Sequence, residues 1–164
     1  MPTRTTTGSA SFLASAIALG LCLGGCPEDP VTPVAMFPAD YELTYREVRN
    51  CRRSIDHDLH HIRVLADPAA YEPYMGRTMP FPVGAILLKV EYDDELCTES
   101  DLVRWSVMRK EEPGFGGPDY VDWYFQRVNL RREVISDNEE RCTRCHSECV
   151  TLPDSYDGTC AIPP

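Results

Sequence analysis

The chain opens on Arg4, a small polar stretch and a mostly apolar run from Phe12 to Leu23 that closes on Leu23-Gly24-Gly25-Cys26. That run is too short to span comfortably as a permanent helix. An apolar segment ending on small residues reads as an export signal over residues 1–25. The next stretch, PEDPVTPVAMFPAD, is proline-rich with little apolar periodicity, and predicts an extended tether over residues 26–40. A folded body is expected over residues 41–164. Within it, Asp40 predicts the cap of a short helix through Tyr41, Tyr45 and Val48. The alternation from His60 to Ala66 predicts a strand with Ile62 and Val64 on one face. Asp67-Pro68-Ala69-Ala70 places an N-cap and a first-turn proline ahead of a helix ending at Gly76.

Three longer strand patterns follow, at Gly84 to Tyr92, at Leu102 to Lys110 and at Tyr120 to Leu130. In the second, Val103, Trp105 and Val107 alternate with Arg104, Ser106 and Met108; in the third, Val121, Trp123 and Phe125 share a face. The glycine-rich Pro113-to-Pro118 stretch between them is a loop. Short connections favour an antiparallel sheet over a doubly wound one, so the fold class is α+β, mostly antiparallel sheet with flanking helices. Ser136-Asp137-Asn138-Glu139 has the spacing of a capping box and predicts a last helix running into Arg141-Cys142-Thr143-Arg144-Cys145-His146.

Composition changes this picture in two ways. A formal charge of −10 over 164 residues argues against nucleic acid as a partner. Eight cysteines in so short a chain point to an oxidising compartment or to a bound cofactor. Cys142-x-x-Cys145-His146 has the spacing of c-type haem attachment: two thiols on one helical face meet the two vinyl groups of a porphyrin, and the adjacent histidine becomes the proximal iron ligand. The composition yields about 0.01 chance occurrences of this pattern, so accident is a poor explanation. Redox Cys-x-x-Cys chemistry, a zinc site from Cys142, Cys145, Cys149 and Cys160, and a plain disulfide cluster are the competing readings.

Assigning one covalent haem c to Cys142 and Cys145 orders the other cysteines. Cys22 leaves with the signal. The ending LGGC resembles the lipobox of bacterial lipoproteins, which implies cleavage before Cys26, lipid on its sulfur and a membrane-anchored protein in the periplasm or at the cell surface. Cys51, Cys97, Cys149 and Cys160 remain as disulfide candidates, with three pairings open in principle. Of these, Cys149–Cys160 would close a short terminal loop and Cys51–Cys97 would tie the first helix to the central strands.

HHIRVLADPAAYEPY, FPVGAILLKVEY, WSVMRKEEPGFGG followed by DWYF, and the single CTRCH near the C-terminus together resemble the cytochrome P-460 family, which includes the cytochrome c prime beta proteins. The resemblance implies a mostly antiparallel sheet, a homodimer and a five-coordinate c-type haem with an open distal site. It implies either oxidation of hydroxylamine, with the haem crosslinked to a lysine, or binding of nitric oxide or similar small ligands without turnover. A redox partner protein is implied for the catalytic branch. The lysine it nominates is Lys89, after Phe81-Pro82-Val83-Gly84. On its strand Lys89 shares a face with Ala85 and Leu87, so the stem lies along apolar surface. The ordinary reading is a lysine on a half-exposed strand, but fourteen arginines against only Lys89 and Lys110 make a generic surface role less natural. The segment following the haem motif, with Cys149 and Cys160, departs from the family pattern.

Arg63 takes the place of a pocket arginine in the family, against the alternative of an outward strand position. His57, His60 and His61 look like a metal cluster but fit a solvated stretch as well. Trp105, Trp123 and Phe125 are expected to wall a haem or fill the core. Glu111, Glu112 and Asp101 are available as distal proton acceptors. An electron carrier would need a sixth ligand such as Met75, Met79 or Met108. A disulfide-stapled lipoprotein domain without haem is the third reading.

Overall fold

The computed structural model describes residues 32–151 and 155–161. The expected export signal, Cys26 and the first part of the expected tether therefore lie outside the described residues. Six strands, β1 (Arg46–Arg53), β2 (His61–Ala66), β3 (Ile86–Tyr92), β4 (Leu102–Lys110), β5 (Trp123–Val128) and β6 (Val134–Asp137), form one sheet in sequence order, every pair antiparallel. Three helices accompany it, α1 (Tyr41–Thr44), α2 (Pro68–Gly76) and α3 (Glu140–Glu148). This is the expected α+β class. Among the described residues no helix is long and apolar enough to cross a membrane.

Both faces of the sheet are buried. On one, Ile62, Val64, Leu87, Met108, Trp123 and Phe125 pack with Ala70 and Tyr74 of α2 and with Phe81. On the other, Leu65, Leu88, Val90, Trp105, Val107 and Val128 pack with Phe37, Tyr41 and Cys97. The two sets come from alternate residues of the same strands, as the two-residue period of a strand requires. Double burial explains why β3 reads as a nearly unbroken apolar run.

Several expectations are corrected. The helix after Asp40 stops at Thr44; Tyr45 is extended at ψ 150, and Val48 belongs to β1. The tether does not stay free to residue 40, because Val34 bridges Glu133, Met36 N donates to Gln126 Oε1 at 3.1 Å and Phe37 is only 2% exposed. The capping box does not form as expected. Ser136 lies in β6, its hydroxyl donates to the Glu139 carboxylate at 2.9 Å, and α3 begins at Glu140 without a side-chain cap. The α2 prediction holds closely, with Asp67 accepting from Ala70 N at 2.7 Å and Pro68 opening the helix. Cys51–Cys97 and Cys149–Cys160 are disulfides, but Cys51 lies on β1 and not on a helix.

Candidate functional site

A cavity of about 480 Å³ lies between the face of the sheet that carries Ile62, Val64, Leu87, Met108 and Phe125, helix α3, and the β1–β2 connection. Helix α3 presents Cys142, Cys145 and His146 to it; positions three and four apart on a helix share one face. Ser147 fixes the helix laterally, accepting from Val121 N at 2.9 Å and donating to Thr143 O at 2.7 Å. Cys142 and Cys145 are the free cysteines among the described residues, while the other four described are paired. Burial raises the Cys142 thiol above its ordinary value.

His146 is 6% exposed, and its ring lies 4.8 Å from that of Phe125, centroid to centroid. Its Nδ1 is 2.6 Å from the carbonyl oxygen of Gly158. A carbonyl only accepts, so Nδ1 carries the proton and Nε2 keeps its lone pair. Burial, aided by the nearby Lys89 charge, pushes the imidazole down to about 3. It is therefore neutral at ordinary pH, which is the form that ligates a metal.

From the opposite wall comes Lys89, centred on β3 between Val64 and Ser106 of the neighbouring strands. Its Nζ lies 2.6 Å from His57 Nε2. Burial pushes the amine down to about 8, against the pull of Glu91. Two residues along the same strand face, Glu91 is fully buried. Burial alone would raise its carboxyl, but the His57 ring, the Ser106 hydroxyl and Arg104 outweigh that and hold it at about 2. His57 Nδ1 stands 3.7 Å from Glu91 Oε1, and burial together with the Lys89 charge lowers its imidazole below the usual value. Lys89, His57 and Glu91 thus form a continuous row from the cavity into the sheet.

Arg63 does not join this site. It lies between Ile62 and Val64 and so points through the other face, where it pairs with Glu47 at 2.6 Å. The arginines lining the cavity are instead Arg49, Arg52, Arg53, Arg127 and Arg141. Glu111 pairs with Arg109 at 2.7 Å, and neither it, Glu112 nor Asp101 lines the cavity. Among the described residues His57, His60 and His61 form no metal cluster: His57 enters the cavity, while His60 pairs with Asp93 at 2.9 Å. Met108 is in the cavity wall, Met75 and Met79 are exposed elsewhere, and of the aromatic candidates only Phe125 lines the cavity. Trp123 packs in the adjoining core and Trp105 on the far face. Sequence reasoning weighed His57 as part of a metal cluster or a solvated stretch and passed over Glu91. The signal available for Glu91 was its period-two relation to Lys89.

The donor set suits a haem. Two unpaired thiols and a neutral, buried imidazole share one helix face, and Arg127 of β5, whose Nε is buried without a hydrogen-bond partner among the described residues, lines the same cavity and suits an anionic edge. No curated protein matches the chain. A family model described as Cytochrome P460 matches residues 38–152, which spans the whole sheet and α3. On a match over most of its length, built on the sheet and helix that frame this cavity, the chain belongs to the cytochrome P460 family of haem-binding cytochromes.

Proposed function

We propose that the protein is a mono-haem c-type cytochrome in which Cys142 and Cys145 hold the porphyrin through thioether bonds, His146 Nε2 is the proximal ligand and Lys89 is the crosslinking amine, and that it oxidises hydroxylamine or a related small nitrogen compound. The observation that carries this reading is convergence: Lys89 reaches the same cavity as the Cys-x-x-Cys-His helix, from 53 positions earlier in the chain. Bound haem would supply an iron that accepts the substrate's electrons. The chain's own residues supply the rest. Cys142, Cys145 and His146 fix position, the apolar wall of Ile62, Val64, Leu87 and Phe125 excludes water, and His57, neutral and backed by Glu91, is the proton acceptor in place of the carboxylates expected from type alone.

Haem-stained denaturing electrophoresis tests covalent attachment, and absence of stain would end the reading. Mass spectrometry of a digest then asks whether the Lys89 peptide stays joined to the haem peptide. Lys89→Arg is expected to leave the thioether attachment intact and abolish that join. Single turnover with hydroxylamine and an electron acceptor reads activity directly.

A second reading, electron transfer without turnover, is favoured by one observation: Met108 is 5% exposed in the cavity wall and carries a thioether. It requires a six-coordinate low-spin spectrum that Met108→Leu converts to high spin. We further propose export and anchoring through lipid on Cys26, in the periplasm or at the cell surface, supported by the LGGC ending and by two disulfides in the folded body. Radiolabelled palmitate entering the wild type and not Cys26→Ala would bear that out. A homodimer and a redox partner protein belong to the same proposal, and sedimentation of the holoprotein reads the former.

A further inference from the structure

After α3 the chain turns back over its own helix, and residues 155–161 run across the buried side of His146. Four separate anchors hold this strap. The Cys149–Cys160 bridge ties it to the end of α3. Lys110 Nζ donates to both carboxylate oxygens of Asp157 at 2.9 Å, Trp123 Nε1 donates to the Asp157 carbonyl at 2.7 Å, and Arg77 donates to the Ala161 carbonyl at 2.7 Å. At the centre is the Gly158 carbonyl, the acceptor for His146 Nδ1. Glycine is required there: its φ is +74°, and a Cβ would stand 2.9 Å from Val121 Cγ1. The Cys160 Sγ is itself only 3.7 Å from His146 Nδ1.

A carbonyl fixed in this way sets more than orientation. An acceptor on Nδ1–H draws the proton away from the ring, increases the donor strength of Nε2 and favours the more oxidised state of a metal bound there. We propose that the strap, closed by the Cys149–Cys160 bridge, positions His146 by holding the Gly158 carbonyl against its Nδ1–H, and thereby sets the reduction potential of the haem. The inference rests on His146 being the proximal ligand. The residues concerned are positioning residues, acting on the iron through His146.

The test is a spectroelectrochemical titration of the holoprotein, with resonance Raman measurement of the iron–histidine stretch in the ferrous form. Cys149→Ser with Cys160→Ser changes no charge and removes the one covalent anchor of the strap. It is expected to raise the ferrous-to-ferric ratio at fixed potential about tenfold, about 59 mV for a one-electron couple, and to lower the stretching frequency. Cys51→Ser with Cys97→Ser removes the bridge that does not line the cavity, and should move neither. If the first pair of substitutions yields no holoprotein, Gly158→Ala keeps the bridge and displaces the carbonyl, and must shift both readings in the same direction. Bound haem with potential and frequency unchanged in these variants overturns the strap alone. A wild type without covalent haem overturns the functional reading beneath it, and the strap with it.

Discussion

Lys89 and Glu91 stand two positions apart on one strand face, and burial opposes the charge on both. Glu91 has enough partners to overcome it, in Arg104 at 2.8 Å, the Ser106 hydroxyl and His57, and stays ionised down to about pH 2. Lys89 has not, and its amine falls to about 8, within reach of the neutral form a nucleophile needs. Because the folded Glu91 carboxyl sits below its ordinary 4.5, its contribution to stability is fully present above pH 4.5 and is lost as pH falls towards 2. That contribution is about 3 kcal/mol, and Glu91→Gln should abolish this part of the acid sensitivity in denaturation curves run from pH 5 to 2. For His57 the expectation concerns rate and rests on the proposed oxidation of hydroxylamine: His57→Gln should lower kcat about a hundredfold with a smaller effect on KM, read by steady-state kinetics. At this scale the inward side of β3 that carries Lys89 was legible in the chain, through strand alternation. For Arg63 the sequence left a pocket and an outward position open, and the alternation that turns Ile62 and Val64 inward favours the outward one that the structure shows. His57 was read there only as part of a metal cluster or a solvated stretch, because HDLHH carries no period that marks a face, and the closure of the β1–β2 connection is what aims it inward.

Elements with a clear local pattern formed within the segments the pattern marked, β5 shortened from the expected Tyr120-to-Leu130 stretch to Trp123–Val128. β3, β4 and β5 carry unbroken or alternating apolar residues, and α2 carries its cap and first-turn proline. Those that failed lack a local cause. β1 contains Arg46, Glu47, Arg49, Arg52 and Arg53, reads as a polar stretch, and pairs with β2 through two irregularities of register. It is a strand because β2 offers an edge and because Arg49 can bury its guanidinium against Tyr74, with Nε donating to the phenol at 3.0 Å. The Ser136–Glu139 signal was real as a hydrogen bond but was claimed by β6, which pairs Ser136 with Arg127. The segment before α1 shows the same precedence of tertiary contact over composition: a proline-rich stretch docks because Phe37 finds Tyr41 at 5.4 Å and Trp105 at 5.5 Å between ring centroids. Phe37→Ala should therefore destabilise the fold by about 3 kcal/mol in chemical denaturation, where a free tether would predict no change.

On the scale of the whole molecule, two bridges do different work. Cys51–Cys97 closes 46 residues and Cys149–Cys160 closes 11, so removing the first should cost about 4 kcal/mol and the second about 3 in the chain-entropy account. Urea denaturation of the two double serine variants checks that order, and the haem properties are expected to follow the opposite one. Chemistry that depends on neighbours in sequence was readable before any coordinates: the Cys142-x-x-Cys145-His146 spacing, the α+β class, the two-residue period of the strands and the cysteines available for pairing. Tertiary structure alone decided which face each strand turns to the cavity, that His57 and Glu91 back Lys89, that Met108 enters the wall and that Gly158 holds His146. The reason is physical. Spacing along a helix or strand is set by a repeat that local residues impose, whereas a cavity is a meeting of segments whose separation in sequence carries no cost that a local pattern records.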